Sequence, residues 1–212
     1  DVAGLGDSWR HGGPMLFYGD HHLHQGELPL WNPLSNCGQP FAANPQTFVF
    51  YPFNVLRSAL TFNPTPYATH VGKLLSAIAH ISVGAFGAYL FARSHRFGRG
   101  PSLVAGIAFG LSAGILNRTI AYDFHYALAW LPFMFLAARS SLLQERLTAS
   151  LSLASVAGVL YGLVVLAGNP LYMVLVGFLL AAYCFLHCLT FHDWRRRGAN
   201  VSLVAALALV TV

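Results

Sequence analysis

From residue 66 onward the chain is a succession of long apolar runs separated by short polar or glycine-proline breaks. Residues 66–92 are apolar almost throughout, with Lys73 near one end and His80 in the middle, and Arg93, Arg96 and Arg99 follow at once. The run 103–116 stops at Asn117-Arg118, and 127–138 is apolar again before Arg139, which predicts two rather short helices joined over 118–126. Residues 147–167 form the next run, Gly168-Asn169-Pro170 breaks it, and 171–191 follows before Arg195-Arg196-Arg197. Gly and Pro together at 168–170 mark a turn that a continuous helix does not accommodate. A helix crosses a bilayer with about 20 apolar residues, so the pattern predicts five complete crossings. The final run, 201–212, is too short to cross, and is expected to be the start of a sixth helix that continues in a longer protein.

Residues 1–65 follow a different pattern. Pro29, Pro33, Pro40, Pro45 and Pro52 stand so close together that one continuous helix is ruled out. Between them lie Trp31, Phe41, Phe48, Phe50, Tyr51 and Phe53, with the amides Asn32, Asn36, Gln39, Asn44 and Gln46. Disordered linkers are poor in aromatic residues, and rings with one apolar and one wet side suit the membrane–water interface. The segment is expected to be an ordered cap lying on a bilayer. Pro14 suits the start of a short helix running to Gln25, with Gly26 as its stop, and a second short helix is expected from Pro52 to about Leu60. The organisation is therefore an outer loop region, 1–65, followed by transmembrane helices over 66–212.

Composition agrees with this division. Hydrophobic residues make up 56% and charged residues 9%, whereas soluble domains carry roughly 25% charged residues. The fold class is all-α, a polytopic integral membrane helix bundle. The net charge of +5 matters through its placement rather than its sign, and does not point to nucleic acid. Arg93, Arg96, Arg99, Arg139, Arg146, Arg195, Arg196 and Arg197 fall on one side of the predicted scheme, and Arg10, Arg57, Lys73 and Arg118 on the other. The positive-inside rule places the first group in the cytoplasm and residues 1–65 outside. Cys37, Cys184 and Cys188 form no CxxC pair, and no disulfide framework is expected.

The predicted outer face collects Asp7, His11, Asp20, His21, His22, His24 and Glu27, and later Asp123 and His125. Carboxylates beside a membrane surface suit general-base chemistry or a divalent cation. Solvated loop charge is the simpler reading of each taken singly. Asp7 stands out because it follows Gly4-Leu5-Gly6 and precedes Trp9. Asp20 and His24 share a helix face at i, i+4, yet the histidines show no complete metal-ligand spacing. His80, in mid-span, suits a hydrogen bond to a neighbouring helix. No Walker A, GxSxG, HExxH or GxGxxG motif is present.

At Gly6-Asp7, Gly26-Glu27-Leu28-Pro29-Leu30-Trp31-Asn32-Pro33, Gly38-Gln39-Pro40 and Tyr51-Pro52 the chain resembles the bacterial YfhO membrane-protein family. The likeness continues through Ala88-Tyr89-Leu90-Phe91-Ala92-Arg93, Leu131-Pro132 and Ala167-Gly168-Asn169-Pro170, and the Pro-Leu-Trp-Asn-Pro block is its most specific part. The chain departs from the family in having Asn169 where many relatives carry a His before the Pro, and in lacking the first helix. The resemblance implies a fold like the GT-C class of polytopic glycosyltransferases, which take a sugar from a polyprenyl-phosphate carrier at the outer face of the cell envelope. It also implies inverting transfer, with Asp7 at the position of the base or metal contact and Asp20 as the second candidate acid. Arg118, Lys73 or Arg10 is implied to neutralise the lipid phosphate, with Arg118 the candidate and Lys73 and Arg10 read more simply as interfacial anchors. Trp31, Asn32, Gln46 and Tyr51 of the loop, with Asp123 and His125 further on, are the other candidate substrate contacts. A divalent cation is a candidate cofactor, and the expected partners are the polyprenyl-phosphate-linked sugar and the bilayer. A polytopic transporter or flippase and a non-catalytic scaffold remain as alternatives, because transporters also have many spans but usually carry ionisable groups near the midplane.

Overall fold

Proline and glycine set the starts and stops of the helices. In the computed structural model, which describes residues 12–116 and 125–190, α1 (Gly13–His24) has Pro14 in its first turn and stops before Gly26, whose φ is +74°. The chain then forms a two-stranded antiparallel ladder, β1 (Trp31–Asn32) with β2 (Gln39–Pro40), pairing Trp31 with Pro40 and Asn32 with Gln39. A 3-10 turn at Pro45–Thr47 is capped by the Asn44 side chain, and α2 (Pro52–Leu60) follows. The proline-rich loop is thus ordered and both short helices form where the sequence predicts them.

The first long helix, α3 (Pro66–Ser94), starts at Thr65, whose hydroxyl accepts the Ala68 N–H at 3.1 Å. After Arg96, at φ +66°, comes α4 (Arg99–Gly110), with one further helical turn at 113–116. The remaining helices are α5 (His125–Leu128), α6 (Leu131–Leu142), α7 (Leu147–Leu166) and α8 (Pro170–Thr190). Gly168, at φ +75°, turns the chain between α7 and α8, and the Asn169 side chain caps α8 by accepting from Leu171 and Tyr172.

Among the described residues, four helices are long and apolar enough to cross a membrane: Pro66–Ser94, Arg99–Leu116, Leu147–Leu166 and Pro170–His187. The sequence predicts a crossing over 127–138 as well. There the structure has the single turn of α5 and the 12-residue α6, and at 1.5 Å per residue α6 reaches only about 18 Å. Pro132 in the first turn of α6 explains why the two do not merge: it has no N–H to donate into a preceding turn.

Helix α3 packs against α4 and α6, and α7 packs against α6 and α8. The close approaches use small residues. A methyl group added at Gly106 would lie 2.8 Å from the Ala85 carbonyl oxygen, and one at Gly110 would lie 2.9 Å from the Ala85 Cβ. Between α6 and α7, Ser141 Oγ donates to the Ser150 carbonyl at 2.8 Å and Ser150 Oγ donates back to the Ser141 carbonyl at 3.0 Å. Small residues and hydroxyl bonds of this kind hold helices together where burial of apolar area offers no drive. The large apolar side chains point outward instead: Leu75, Ile78, Phe86, Val104, Val159, Val174 and Phe178 are all exposed. A continuous apolar exterior of this extent marks a surface meant for contact with something other than water.

The ends of the bundle differ. At one end Arg139 Nε donates to His95 Nε2 at 3.2 Å. At the other, the α7–α8 turn meets the cap, because a methyl group on Gly168 would lie 2.1 Å from the Pro45 carbonyl oxygen.

Candidate functional site

The i, i+4 face of α1 that carries Asp20 and His24 is turned onto α2. Asp20 is buried, and its carboxylate accepts from Arg57 Nη2 at 2.6 Å and Arg57 Nη1 at 2.8 Å. Thr69 Oγ1 on α3 donates to the same carboxylate at 2.9 Å. Arg57 Nε donates to Asn54 Oδ1 at 2.9 Å, and Asn54 Nδ2 donates to the Phe48 carbonyl. His24 Nε2 meets the Ser58 carbonyl at 2.9 Å. One buried, bidentate ion pair therefore ties α1, α2 and α3 together. Removing one member of such a pair strands the other charge and costs about 3–5 kcal/mol. Both oxygens of Asp20 are engaged, so its geometry is that of a strut.

A second polar network joins the cap to the helices. The His80 Nδ1 lies 2.7 Å from the Ser76 carbonyl, which can only accept, so Nδ1 carries the proton. His80 Nε2 is then an acceptor, and Tyr51 Oη donates to it at 2.8 Å. Trp130 Nε1 in turn donates to Tyr51 Oη at 2.8 Å. Tyr51 has no exposed surface, and burial pushes its phenol well above the usual range, which keeps it a donor. Tyr126 packs edge-on to His80 with ring centroids 4.9 Å apart, and Phe53 stacks on Trp130 at 5.0 Å.

His125 completes this cluster. Its ring lies 4.1 Å from that of Tyr126 and 5.9 Å from that of His80. It is 1% exposed, and neither ring nitrogen has a hydrogen-bond partner. Burial, followed by the charges of His80 and Lys73, holds its imidazole well below the ordinary histidine value. The structure thus brings Tyr51 and His125 together, but in an enclosed cluster.

Two cavities open beside α1. The larger, about 630 Å³, lies between α1 and the β1–β2 hairpin and is lined by Phe17, Tyr18, His21, His22, Gln25 and Asn32 among others. Tyr18 Oη donates to the Trp31 carbonyl at 2.9 Å, which fixes the hairpin against the helix. The smaller, about 300 Å³, lies between the first turns of α1 and α3 and is lined by Gly13, Pro14, Phe17, Pro66, Thr69, His70 and Lys73.

The predicted loop contacts are dispersed over these features. Asn32 lines the larger cavity, and its Oδ1 accepts the Leu34 N–H. Trp31 is half exposed and lies over Gly38, whose φ of +104° and absent side chain make room for the indole. Gln46 is exposed on the 3-10 turn. Asp7, Arg118 and Asp123 lie outside the described residues.

Residues that the sequence analysis did not single out carry much of the site. Trp130 closes the Tyr51–His80 chain, Phe17 and Tyr18 wall the larger cavity, and Arg57 holds Asp20. A signal for Arg57 was present in the spacing of Asn54, Arg57 and Ser58, which puts three polar residues on one face of α2.

Each histidine of α1 has its own partner: His21 meets Gln25 Nε2 at 3.1 Å, His22 meets Glu27 Oε2 at 3.3 Å, and His24 meets the Ser58 carbonyl. Among the described residues no three His, Cys, Asp or Glu side chains converge as a metal site would require. Those residues do not fit a bound divalent cation. Compared with family models, curated proteins and solved structures, the chain finds no match in any of the three.

Proposed function

We propose that the chain is a membrane glycosyltransferase of the GT-C kind, moving a sugar from a polyprenyl-phosphate donor to an acceptor at the extracytoplasmic face. The observation that supports this reading best is the ordered cap at the end of the bundle away from Arg93 and Arg139, with a cavity of about 630 Å³ between α1 and the hairpin. Its walls combine the rings of Phe17 and Tyr18 with the polar groups of His21, His22, Gln25 and Asn32. Aromatic faces suit the C–H faces of a sugar, and amides and imidazoles both donate to and accept from hydroxyls. The apolar exterior of the helices suits the polyprenyl chain. The protein is then a multi-pass protein of the cell membrane with residues 1–65 outside.

In this reading the acceptor hydroxyl oxygen attacks the anomeric carbon, the bond from that carbon to the phosphate oxygen breaks, and the hydroxyl proton passes to Asp7. The lipid phosphate leaves with the bonding electrons. Asp20, engaged by Arg57, holds the cap in place while the transfer occurs.

The test follows transfer from a polyprenyl-phosphate sugar by the full-length protein. Asp7→Asn is expected to lower the rate about a hundredfold or more, the scale of general-base catalysis, with folding unchanged. Asp20→Asn is expected to lower the yield of folded protein instead. Full transfer by Asp7→Asn would sink the assignment of the base. A transporter reading is favoured by one observation, the burial of Lys73 and His80 on α3, since ionisable residues in spanning helices often mark solute pathways. It predicts solute movement that Asp7→Asn leaves intact.

A further inference from the structure

We infer that α2 is set into the bilayer, with the face formed by Val55, Leu56 and Leu60, and Phe62 just beyond it, lying among the acyl chains of the leaflet on the cap's side. This contact holds whether the chain transfers sugars or moves solutes.

The helix is amphipathic with its faces reversed. Asn54, Arg57 and Ser58 are buried, whereas Val55, Leu56 and Leu60 are exposed, Leu60 by 66%. By the helical period the first three share one side of α2 and the other three lie opposite. A helix on the surface of a protein in water has its polar side outward. In α2 the polar side is drawn inward by the Asp20–Arg57 pair and by the hydrogen bond from Arg57 Nε to Asn54. Charge points the same way. Between Glu27 and Lys73 the sequence has one residue of the Asp, Glu, Lys and Arg types, Arg57, and Asp20 neutralises it. The outer side of α2 therefore carries no charge at all.

Single exposed apolar residues are ordinary, but these belong to a longer series. Helix α2 packs on α3 through Arg57, whose Cγ would lie 3.5 Å from a methyl group added at Gly72. The chain then leads through Phe62, 94% exposed, and Tyr67 into α3, whose own exterior presents Leu74, Leu75 and Ile78. That helix is long and apolar enough to span a membrane. A protein partner could also cover an apolar face, but continuity with the exterior of a spanning helix favours acyl chains.

The backbone ends of α2 are suited to a setting short of water. Pro52, in its first turn, has no N–H, and the Asn54 and Val55 N–H groups bond to the Tyr51 carbonyl at 2.9 and 3.1 Å. In the last turn Thr61 Oγ1 donates to the Arg57 carbonyl at 2.9 Å, and the Ser58 carbonyl accepts from the Thr61 N–H and from His24 Nε2. Helix ends need such partners where lipid replaces water. The nine residues of α2 reach only about 14 Å, too short to cross, so the helix lies along the leaflet. Interfacial helices sink their apolar face about 5–10 Å into the boundary between headgroups and acyl chains. They turn their polar side to water, whereas α2 turns it to the protein, so the Asp20–Arg57 pair sits behind the helix, away from solvent.

The experiment uses the full-length protein with Cys37, Cys184 and Cys188 replaced by serine. Leu56→Cys, Leu60→Cys or Ile78→Cys is introduced singly and given a fluorescent label, and a fourth protein keeps Cys37 alone. Each is placed in phosphatidylcholine nanodiscs with or without bromine on the acyl chains, and is titrated with iodide in the water. Labels at positions 56 and 60 are expected to lose as much emission to the brominated chains as the label at 78, and less to iodide than the label on Cys37. Iodide quenching as strong as at Cys37, with no response to bromine, places the outer face of α2 in water and overturns the proposal. Quenching by neither agent shows that a protein surface, from a partner or a second copy, covers the face, and overturns it as well. If the cysteine variants do not fold, the wild-type protein is crosslinked with a phosphatidylcholine that carries a photoreactive acyl chain. Labelling within 52–62 supports the contact, and labelling confined to the spanning helices overturns it.

Discussion

His125 sits against Tyr126 and His80 with both ring nitrogens unpartnered, and its effect on stability has a definite sign. Burial lowers its folded pKa, with smaller contributions from His80 and Lys73, while the unfolded chain keeps a value near 6.5. Below about pH 6.5 the unfolded state therefore binds a proton that the folded state excludes, and stability falls as pH falls, by at most about 1.4 kcal/mol per pH unit. His125→Phe, which keeps the flat ring and removes the unpaired nitrogens, is expected to unfold at a higher temperature than wild type at pH 5.5 and to show a weaker pH dependence from 7 to 5. Parallel pH profiles for the two proteins would show that His125 is not the titrating group. At this scale the sequence revealed only local relations. The shared face of Asp20 and His24 follows from i, i+4 spacing, and the structure turns that face onto α2. The partner of Asp20 is 37 residues away, and Trp130 is 79 residues from Tyr51. No helical period links such pairs, because they are set by how the cap docks on the bundle.

Between elements, the contact most sensitive to a single atom is that of the α7–α8 turn with the 3-10 turn of the cap. Gly168 has φ +75°, which disfavours any L side chain, and its missing Cβ leaves space for the Pro45 carbonyl and the ring of Phe48. Gly168→Ala is thus expected to destabilise the folded protein by more than about 1 kcal/mol, the usual scale of glycine-specific conformation, and to loosen the cap further through the clash. The readout is limited proteolysis of the loop over 26–52 in the purified protein. Faster cleavage in Gly168→Ala, with the α3–α4 segment still protected, supports a docked cap, and unchanged cleavage refutes it. Sequence reading located this turn from Gly168-Asn169-Pro170 and placed α1, α2, α3, α7 and α8 within a few residues, because glycine, proline and apolar length act locally. It gave no sign that the turn meets Pro45. The run 127–138 reads as a crossing, because apolar composition alone does not show that Pro132 starts α6 afresh after the single turn of α5.

For the molecule as a whole, the distribution of charge about the bundle bears on which way it faces. Among the described residues, Arg93 and Arg139 lie at the end where His95 is bonded, with Arg96, Arg99 and Arg146 in the adjoining turns, whereas Arg57 and Lys73 belong to the end that carries the cap. Lys and Arg accumulate on the cytoplasmic side of membrane proteins, so the cap, the two cavities and the Asp20–Arg57 pair are expected outside. Cys37 provides a direct test because it is exposed on the hairpin loop. In a variant with Cys184 and Cys188 replaced by serine, a membrane-impermeant thiol reagent added to spheroplasts is expected to label Cys37 to the same extent as in lysed membranes. Labelling only after lysis would put the cap in the cytoplasm. That result would also remove the extracytoplasmic transferase reading, since a sugar donor presented on the outer leaflet could not reach a cavity on the inner side. Full labelling in spheroplasts puts the cavity between α1 and the hairpin on the outer side of the membrane, the side the proposed transfer requires.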